Sequence, residues 1–257
     1  MANDKIFVYS GTGNCYATAK QIAAELDMEI IHITEELTQS YPVATCRICV
    51  IVFPVYAFGI PMGLRRFIQN ATIDVEYLAV ITTKGSYQWG ALAECVRLFR
   101  KRGRRVQYTN AIRAVENFVH MFKLPEPDQI MQTCARQNQL TNSIINDIKH
   151  RKTNNRFTFR PESSCVSFVF RRVTPMFARR YRIDENCNGC RVCYRVCPPH
   201  AIEMVDGKPK IHPKKCDHCQ SCMQLCPRRA ISFGKINPDS RRYIHPDVTL
   251  PELYKRD

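Results

Sequence analysis

Residues Tyr9–Lys20 read YSGTGNCYATAK. Two glycines bracket a threonine, directly after the apolar run IFVY (6–9). From Cys15 onward the pattern predicts a helix. A Gly-rich turn between a strand and a helix presents backbone N–H groups and the positive end of the helix dipole, so it suits an anion. Residue type excludes two kinds of phosphate loop. The ATP-type loop needs G-x-x-x-x-G-K-[ST], and no Gly-Lys-[Ser/Thr] occurs in the chain. The dinucleotide fingerprint G-x-G-x-x-G fails because Tyr16 stands where the third glycine belongs.

Outward from this turn, strands and helices alternate. Lys5–Tyr9 reads as a strand, followed by a helix at about 13–26, then MEIIHI (28–33) as the next strand. CRICVIVFP (46–54) is almost continuously apolar, as a strand buried on both faces would be. A helix follows over Met62–Asn70, then the strand YLAVITT (77–83) and an amphipathic helix over Trp89–Lys101. A fifth strand is expected near 105–115 and a long polar helix over about 128–150. This order predicts an α/β fold: a doubly wound parallel five-stranded sheet with helices on both faces. Ligands of such sheets sit outside the carboxyl ends of the strands. Three loops fall there: Ser10–Cys15, Pro54–Pro61 and Thr82–Trp89. Cys46 and Cys49 have no further ligand types near them in the sequence and read as packing residues.

The chain has 14 cysteines, and eight of them lie between Cys187 and Cys226. CNGCRVCYRVCPPHAIEM (187–204) and CDHCQSCMQLCPRRAISF (216–233) share C-x-x-C-x-x-C-x-x-x-C-P-x-x-A-I at an offset of 29 residues. This is the run that ligates iron–sulfur clusters in bacterial ferredoxins. Soft thiolates suit iron in a sulfide cluster. The first three cysteines of a run hold one 4Fe–4S cluster, and the fourth crosses to the other. Cys187, Cys190, Cys193 and Cys226 then form one set, and Cys216, Cys219, Cys222 and Cys197 the second. Zinc is the rival reading of C-x-x-C pairs, but it leaves the third and fourth cysteines of each run unexplained. Two clusters imply one-electron transfer.

The first loop, SGTGNC (10–15), resembles the flavodoxin phosphate loop. PVYAFGIP (54–61), ahead of an Arg-Phe-Ile helix, resembles the second flavodoxin loop, and TTKGSYQWG (82–90) the third. The resemblance implies bound FMN. By position, Ser10, Gly11, Thr12, Gly13, Asn14 and Cys15 would hold its phosphate. Pro54, Val55, Tyr56, Ala57 and Phe58 would line one face of the ring. Thr83, Lys84, Gly85, Ser86 and Tyr87 would line the other. Cys15 departs from the family, which has a hydroxyl there. The missing lysine fits, since hydroxyls and N–H groups suffice for a metal-free phosphate. Lys84 near a flavin would stabilise its anionic reduced form. Trp89 reads as a packing residue at a helix start.

A flavodoxin-like domain joined to a small α+β two-cluster ferredoxin-like domain resembles a fusion family of anaerobes, the ferredoxin-type proteins. The tail GKINPDSRRYIHPDV (234–248) shares that family's Arg-Arg-Tyr-x-x-Pro ending. The expected division is a flavodoxin-like domain over 1–150, a basic linker over 151–181 with a helix near 164–181, a cluster domain over 182–236 and a tail over 237–257. The resemblance implies an electron carrier working between a protein donor and a client. An FMN-dependent reductase of a small acceptor is the alternative, with His120 or Tyr87 as proton donor.

Formal charge is +15, and ten Lys/Arg against one acid lie between Lys149 and Arg182. Such a stretch attracts acidic proteins, acidic membrane or nucleic acid. An acidic redox protein docking on 149–182 is expected. A nucleic-acid partner is not, because no recognised nucleic-acid module is present. No apolar run approaches the ~18 residues of a membrane span. The N-terminus, MANDKIFVYS, lacks a signal-peptide pattern, so a cytoplasmic protein with reduced thiols is expected.

Overall fold

The computed structural model describes residues 3–56, 58–86, 90–154, 161–235 and 241–257, without the side chains of 161–165. The N-terminal half runs β1 (Lys5–Val8), α1 (Asn14–Leu26), β2 (Glu29–His32), α2 (Glu35–Gln39), β3 (Val43–Pro54), α3 (Met62–Asn70), β4 (Thr72–Lys84), α4 (Ala91–Lys101), β5 (Tyr108–Arg113) and α5 (Pro127–Lys149). All pairings are parallel, in the order β2-β1-β3-β4-β5. That is the flavodoxin-like doubly wound order, with its switch point between β1 and β3.

Side-chain alternation splits the core into two layers. Phe7, Ile51, Phe53 and Val80 pack on one face with Leu64, Phe67 and Phe99 of α3 and α4. Ile6, Val8, Val50, Val52 and Ile81 pack on the other with Ile22 of α1 and Ile144 and Ile148 of α5. Cys49 is buried in the first layer and Cys46 packs against it. The short helix α2 goes unseen in the sequence because EELTQ has no apolar stripe. Its start is set by the Thr34 hydroxyl, which accepts from Leu37 N at 3.0 Å.

The second half runs α6 (Pro161–Ala178), β6 (Tyr181–Ile183), α7 (Val192–Arg195), β7 (Ile202–Val205), β8 (Lys208–Ile211), α8 (Ser221–Gln224) and β9 (Ile231–Phe233), with a 3-10 turn at Pro251–Leu253. β6 pairs β9 and β7 pairs β8, both antiparallel. The two repeats share one backbone. Left-handed residues recur 29 apart, at Gly189 and His218, Arg191 and Gln220, His200 and Arg229. Each repeat therefore bends around its cysteines in the same way. Ala201, Ile202, Ile231 and Phe233 close a small core around them.

Candidate functional site

The eight cysteines of the repeat fall into two sets of four, each lining its own cavity. Cys187, Cys190, Cys193 and Cys226 line one, with Met204 and Ile231. Cys197, Cys216, Cys219 and Cys222 line the other, with Tyr181 and Ile211. The fourth cysteine of each run lines the cavity of the other run's first three. Among the described residues, no three His, Cys, Asp or Glu side chains converge closely enough to hold a single metal ion. A zinc ion would need its thiolates gathered ~2.3 Å from one point.

Burial pushes the Cys193 and Cys216 thiols up to about 12, and Cys197 and Cys222 well above their ordinary value. Thiols so placed ionise only against a bound cation. Backbone N–H groups already point at two of the sulfurs: Ala201 N donates to Cys197 Sγ at 3.2 Å and His218 N to Cys216 Sγ at 3.3 Å. Such bonds tune the potential of a thiolate-held cluster. Cys190 of the first set is exposed, while its counterpart Cys219 in the second is half-buried.

The second cavity abuts the glycine turn. A methyl built on Gly11 would lie 2.9 Å from Ser221 Oγ, 3.4 Å from Cys219 O and 2.7 Å from Tyr56 Oη. Only glycine lets the loops approach so closely. The next residue pair is a second clasp: Tyr9 Oη donates to Asp217 Oδ2, and Gly63 N donates to the same oxygen at 3.4 Å. Burial pushes the Asp217 carboxyl up and the Tyr9 phenol well up, so Tyr9 is the donor.

The turn itself is made by Gly13, whose φ of 105° caps α1 from the left-handed region. Ser10 and Thr12 are buried. Ser10 Oγ accepts from Tyr16 N at 3.4 Å, and Thr12 Oγ1 accepts from Asn117 Nδ2, so both hydroxyls keep their O–H to donate. Among the described residues nothing accepts from the N–H groups of Gly11, Thr12, Asn14 or Cys15. Unpartnered N–H groups at a helix start, flanked by two hydroxyl donors, are a donor set that fits a phosphate.

The other sequence-predicted residues are placed unevenly. Cys15 turns its thiol into the core, 3.0 Å from Thr83 Oγ1. Burial pushes that thiol up to about 12, and only the N–H of Cys15 is left for an anion. Asn14 spends its side chain on Val115 O at 3.0 Å and on the Tyr243 hydroxyl at 2.6 Å. Pro54 ends β3 and Val55 follows it, and Tyr56 and Gly59 close a tight turn by mutual backbone bonds of 3.0 and 2.9 Å. Tyr56 lies over Gly11, whereas Phe58 packs on Phe170 of α6, ring centroids 4.5 Å apart. Lys84 is half-buried at the end of β4, Gly85 faces the Glu116 carboxylate and Ser86 is exposed. Ala57, Tyr87 and Trp89 lie outside the described residues. His120 packs in the cysteine domain, against Tyr181, His218 and Phe233. Its Nδ1 is 3.1 Å from His218 Nε2 and its ring stacks on Phe233.

Sequence reasoning missed the residues that close the turn. Glu116 and Asn117 follow β5, at the carboxyl edge of the sheet where a fourth loop was to be expected. Gln224 of α8 donates to Asn117 O at 2.9 Å and accepts from Tyr243 N at 2.9 Å. The tail then straps the turn: His245 N donates to Thr12 O at 3.0 Å, and His32 Nε2 lies 3.0 Å from Glu252 O. The Arg-Arg-Tyr-x-x-Pro signal in the tail marks this strap.

Residues 186–230 match the family of 4Fe-4S dicluster domains. No curated protein matches the chain. Among solved structures, the N-terminal half is similar to a Bacteroides uniformis protein described as a flavoprotein, at 15% identity over 44% of this chain and 90% of that one, TM-score 0.37. The Trp repressor binding protein of Bacillus subtilis matches at 12% identity over 59% and 99%, TM-score 0.37. Two-electron reduced flavodoxin of Megasphaera elsdenii matches at 15% identity over 42% and 84%, TM-score 0.33. These likenesses are distant, and the strand order of the chain itself carries the fold. The chain thus joins a flavodoxin-like fold to an iron–sulfur dicluster domain.

Proposed function

We propose that this protein is an electron carrier that couples two 4Fe–4S clusters to FMN and links a protein donor to a client enzyme. The observation that carries the reading is the contact of the Cys219–Ser221 loop with Gly11 of the anion turn. It puts the dicluster domain against the loops that resemble a flavin site. When bound, the clusters would supply one-electron chemistry and FMN would hold one or two electrons.

The chain's own residues have separable parts in this. Cys187, Cys190, Cys193 and Cys226 would hold one cluster as thiolates, and Cys197, Cys216, Cys219 and Cys222 the other. The N–H groups of Gly11–Cys15, with the Ser10 and Thr12 hydroxyls, would bind the phosphate. Pro54, Val55, Tyr56, Ala57 and Phe58, with Thr83, Lys84, Gly85, Ser86 and Tyr87, would border the ring, and the packing of Phe58 on α6 favours Tyr56 as the aromatic nearest it. Asp217, Gln224 and the tail keep water from the junction and hold the two domains in register. The expected partners are redox proteins with acidic surfaces, drawn by the basic stretch 149–182.

Anaerobic reconstitution followed by a redox titration tests the reading. About eight irons per chain are expected from the ligand count, with FMN bound in the same sample. Markedly fewer irons would sink the cluster assignment, and a sample free of flavin would sink the FMN assignment. Turnover of a small acceptor with no protein donor present would favour the reductase instead.

A further inference from the structure

Helix α6 is built inside out. Of its described side chains, Ser167, Thr174 and Ala178 are buried, with Arg171 half-buried among them, recurring at helical spacing. That side faces the protein. Arg171 Nη2 reaches both carboxylate oxygens of Glu94 at 2.7 Å, and Ser167 Oγ fills the space over Gly59. A buried ion pair and a tight glycine contact fix which way the helix is turned.

The outer side carries the large apolar groups. Phe168 is 58% exposed, Val169 57% and Met176 66%. Arginines stand among them. Arg172 lies over the Phe168 ring at 4.7 Å, and Arg179, just past the end of the helix and about two turns on, is exposed. No acidic residue occurs between Glu162 and Asp184. Elsewhere in the basic stretch, Arg151 pairs with Glu76 and Lys152 with Asp147, both at 2.8 Å. Arg172 and Arg179 have no acidic partner among the described residues.

One flank of this helix meets the loop that carries the second cysteine set. Phe177 stacks near His218, which sits between Cys216 and Cys219, with ring centroids 6.2 Å apart. The loop after β5 meets the same histidine through His120, and its Met121 is 74% exposed. Two separate elements thus present apolar side chains around one redox centre, rimmed by arginine. Exposed apolar patches with a charged rim mark binding surfaces.

We infer that the outer face of α6, with the Met121 loop, is the docking surface for an electron-carrier protein whose contact face is acidic around an apolar centre. The inference rests on the electron-carrier reading above. Charge complementarity selects the acidic partner, and the position beside Cys216 and Cys219 selects a redox one over a lipid surface.

The test is stopped-flow reduction of the reconstituted full chain by a small acidic ferredoxin, with dithionite as the small reductant. The outer-face variant V169S/M176S/R172E/R179E is compared with K208E/K210E, a charge reversal of two exposed lysines on β8. The outer-face variant should accept electrons from ferredoxin about tenfold more slowly, with a flattened salt dependence, and from dithionite at the wild-type rate. An unchanged ferredoxin rate, or an equal loss in K208E/K210E, overturns the docking surface. Binding of anionic vesicles that the outer-face variant loses, with its ferredoxin rate intact, overturns it in favour of a membrane surface. A wild-type chain whose clusters take no electrons even from dithionite defeats the electron-carrier reading instead.

Discussion

Gly11→Ala should destabilise the protein, against the usual sign of that exchange. At a position whose backbone tolerates alanine, the change normally stabilises by about 0.4–1 kcal/mol, through the unfolded chain. Gly11 is not among the residues with positive φ, so its backbone raises no objection. The objection is spatial. The new methyl meets Tyr56 Oη at 2.7 Å and Ser221 Oγ at 2.9 Å, while Cys219 O at 3.4 Å is nearly tolerable. Tyr56 is half-buried and can swing outward. Ser221 is fully buried, starts α8 and sits 3.1 Å from Cys219 Sγ, so it yields only by moving the cysteine loop. Overpacking of this kind costs about 1–3 kcal/mol. For a chain this long, that lowers Tm by roughly 2–12 °C. Anaerobic thermal melts of the reconstituted protein measure it. Y56F/S221A removes both offending oxygens, so adding G11A to that background should cost under about 0.5 kcal/mol, a coupling that double-mutant cycles resolve. Wild-type stability for Gly11→Ala, or the same loss in both backgrounds, would refute the contact between the turn and the dicluster domain.

Glu94→Gln should cost about 3 kcal/mol, because it leaves Arg65 and Arg171 facing each other without their shared carboxylate. Urea melts measure the loss, and early proteolytic cutting within α6 is its local sign; a protease-resistant variant of normal stability counts against the anchor. Acid should loosen the strap. Burial, then Lys255, lowers the His32 pKa from 6.5 to about 3. The folded state thus binds fewer protons, and this stability is full above pH 6.5 and drains as pH falls toward 3. The margin of wild type over His32→Gln, read from urea melts, should narrow by about 1–2 kcal/mol between pH 7.5 and pH 5, discounted for partial exposure; a constant margin sinks the assignment. Cys15→Thr should leave FMN affinity within about twofold, since the thiol faces Thr83, and should cost about 1–2 kcal/mol for a hydroxyl and a methyl forced into the core. A large loss of flavin affinity measured by fluorescence quenching would mean the Cys15 side chain reaches the anion.

Sequence legibility followed the range of the signal. The strands and helices of the sheet were readable because their periodicity is carried within a few turns of chain. IFVY and CRICVIVFP alternate or fill as buried parallel strands must, and they became β1 and β3. Boundaries slipped where apolar content thins: β4 begins at Thr72, ahead of YLAVITT, and α6 begins at Pro161. The short pairs β6–β9 and β7–β8 carry three or four residues per strand, too few to show a period.

The two cysteine sets were legible in the sequence alone, because C-x-x-C-x-x-C spacing is a local covalent fact and the repeat writes it twice. The anion turn was readable for the same reason: Gly13 and the hydroxyls of Ser10 and Thr12 lie within four residues. What encloses that turn was decided only by the tertiary structure. Tyr9 meets Asp217 across 208 residues and Asn14 meets Tyr243 across 229, and contacts at that range leave no period in the chain. The same holds for α6. Its sequence reads as an amphipathic basic helix, but the Glu94 carboxylate, drawing Arg171 inward, and the close packing of Ser167 on Gly59 determine that the apolar side faces out.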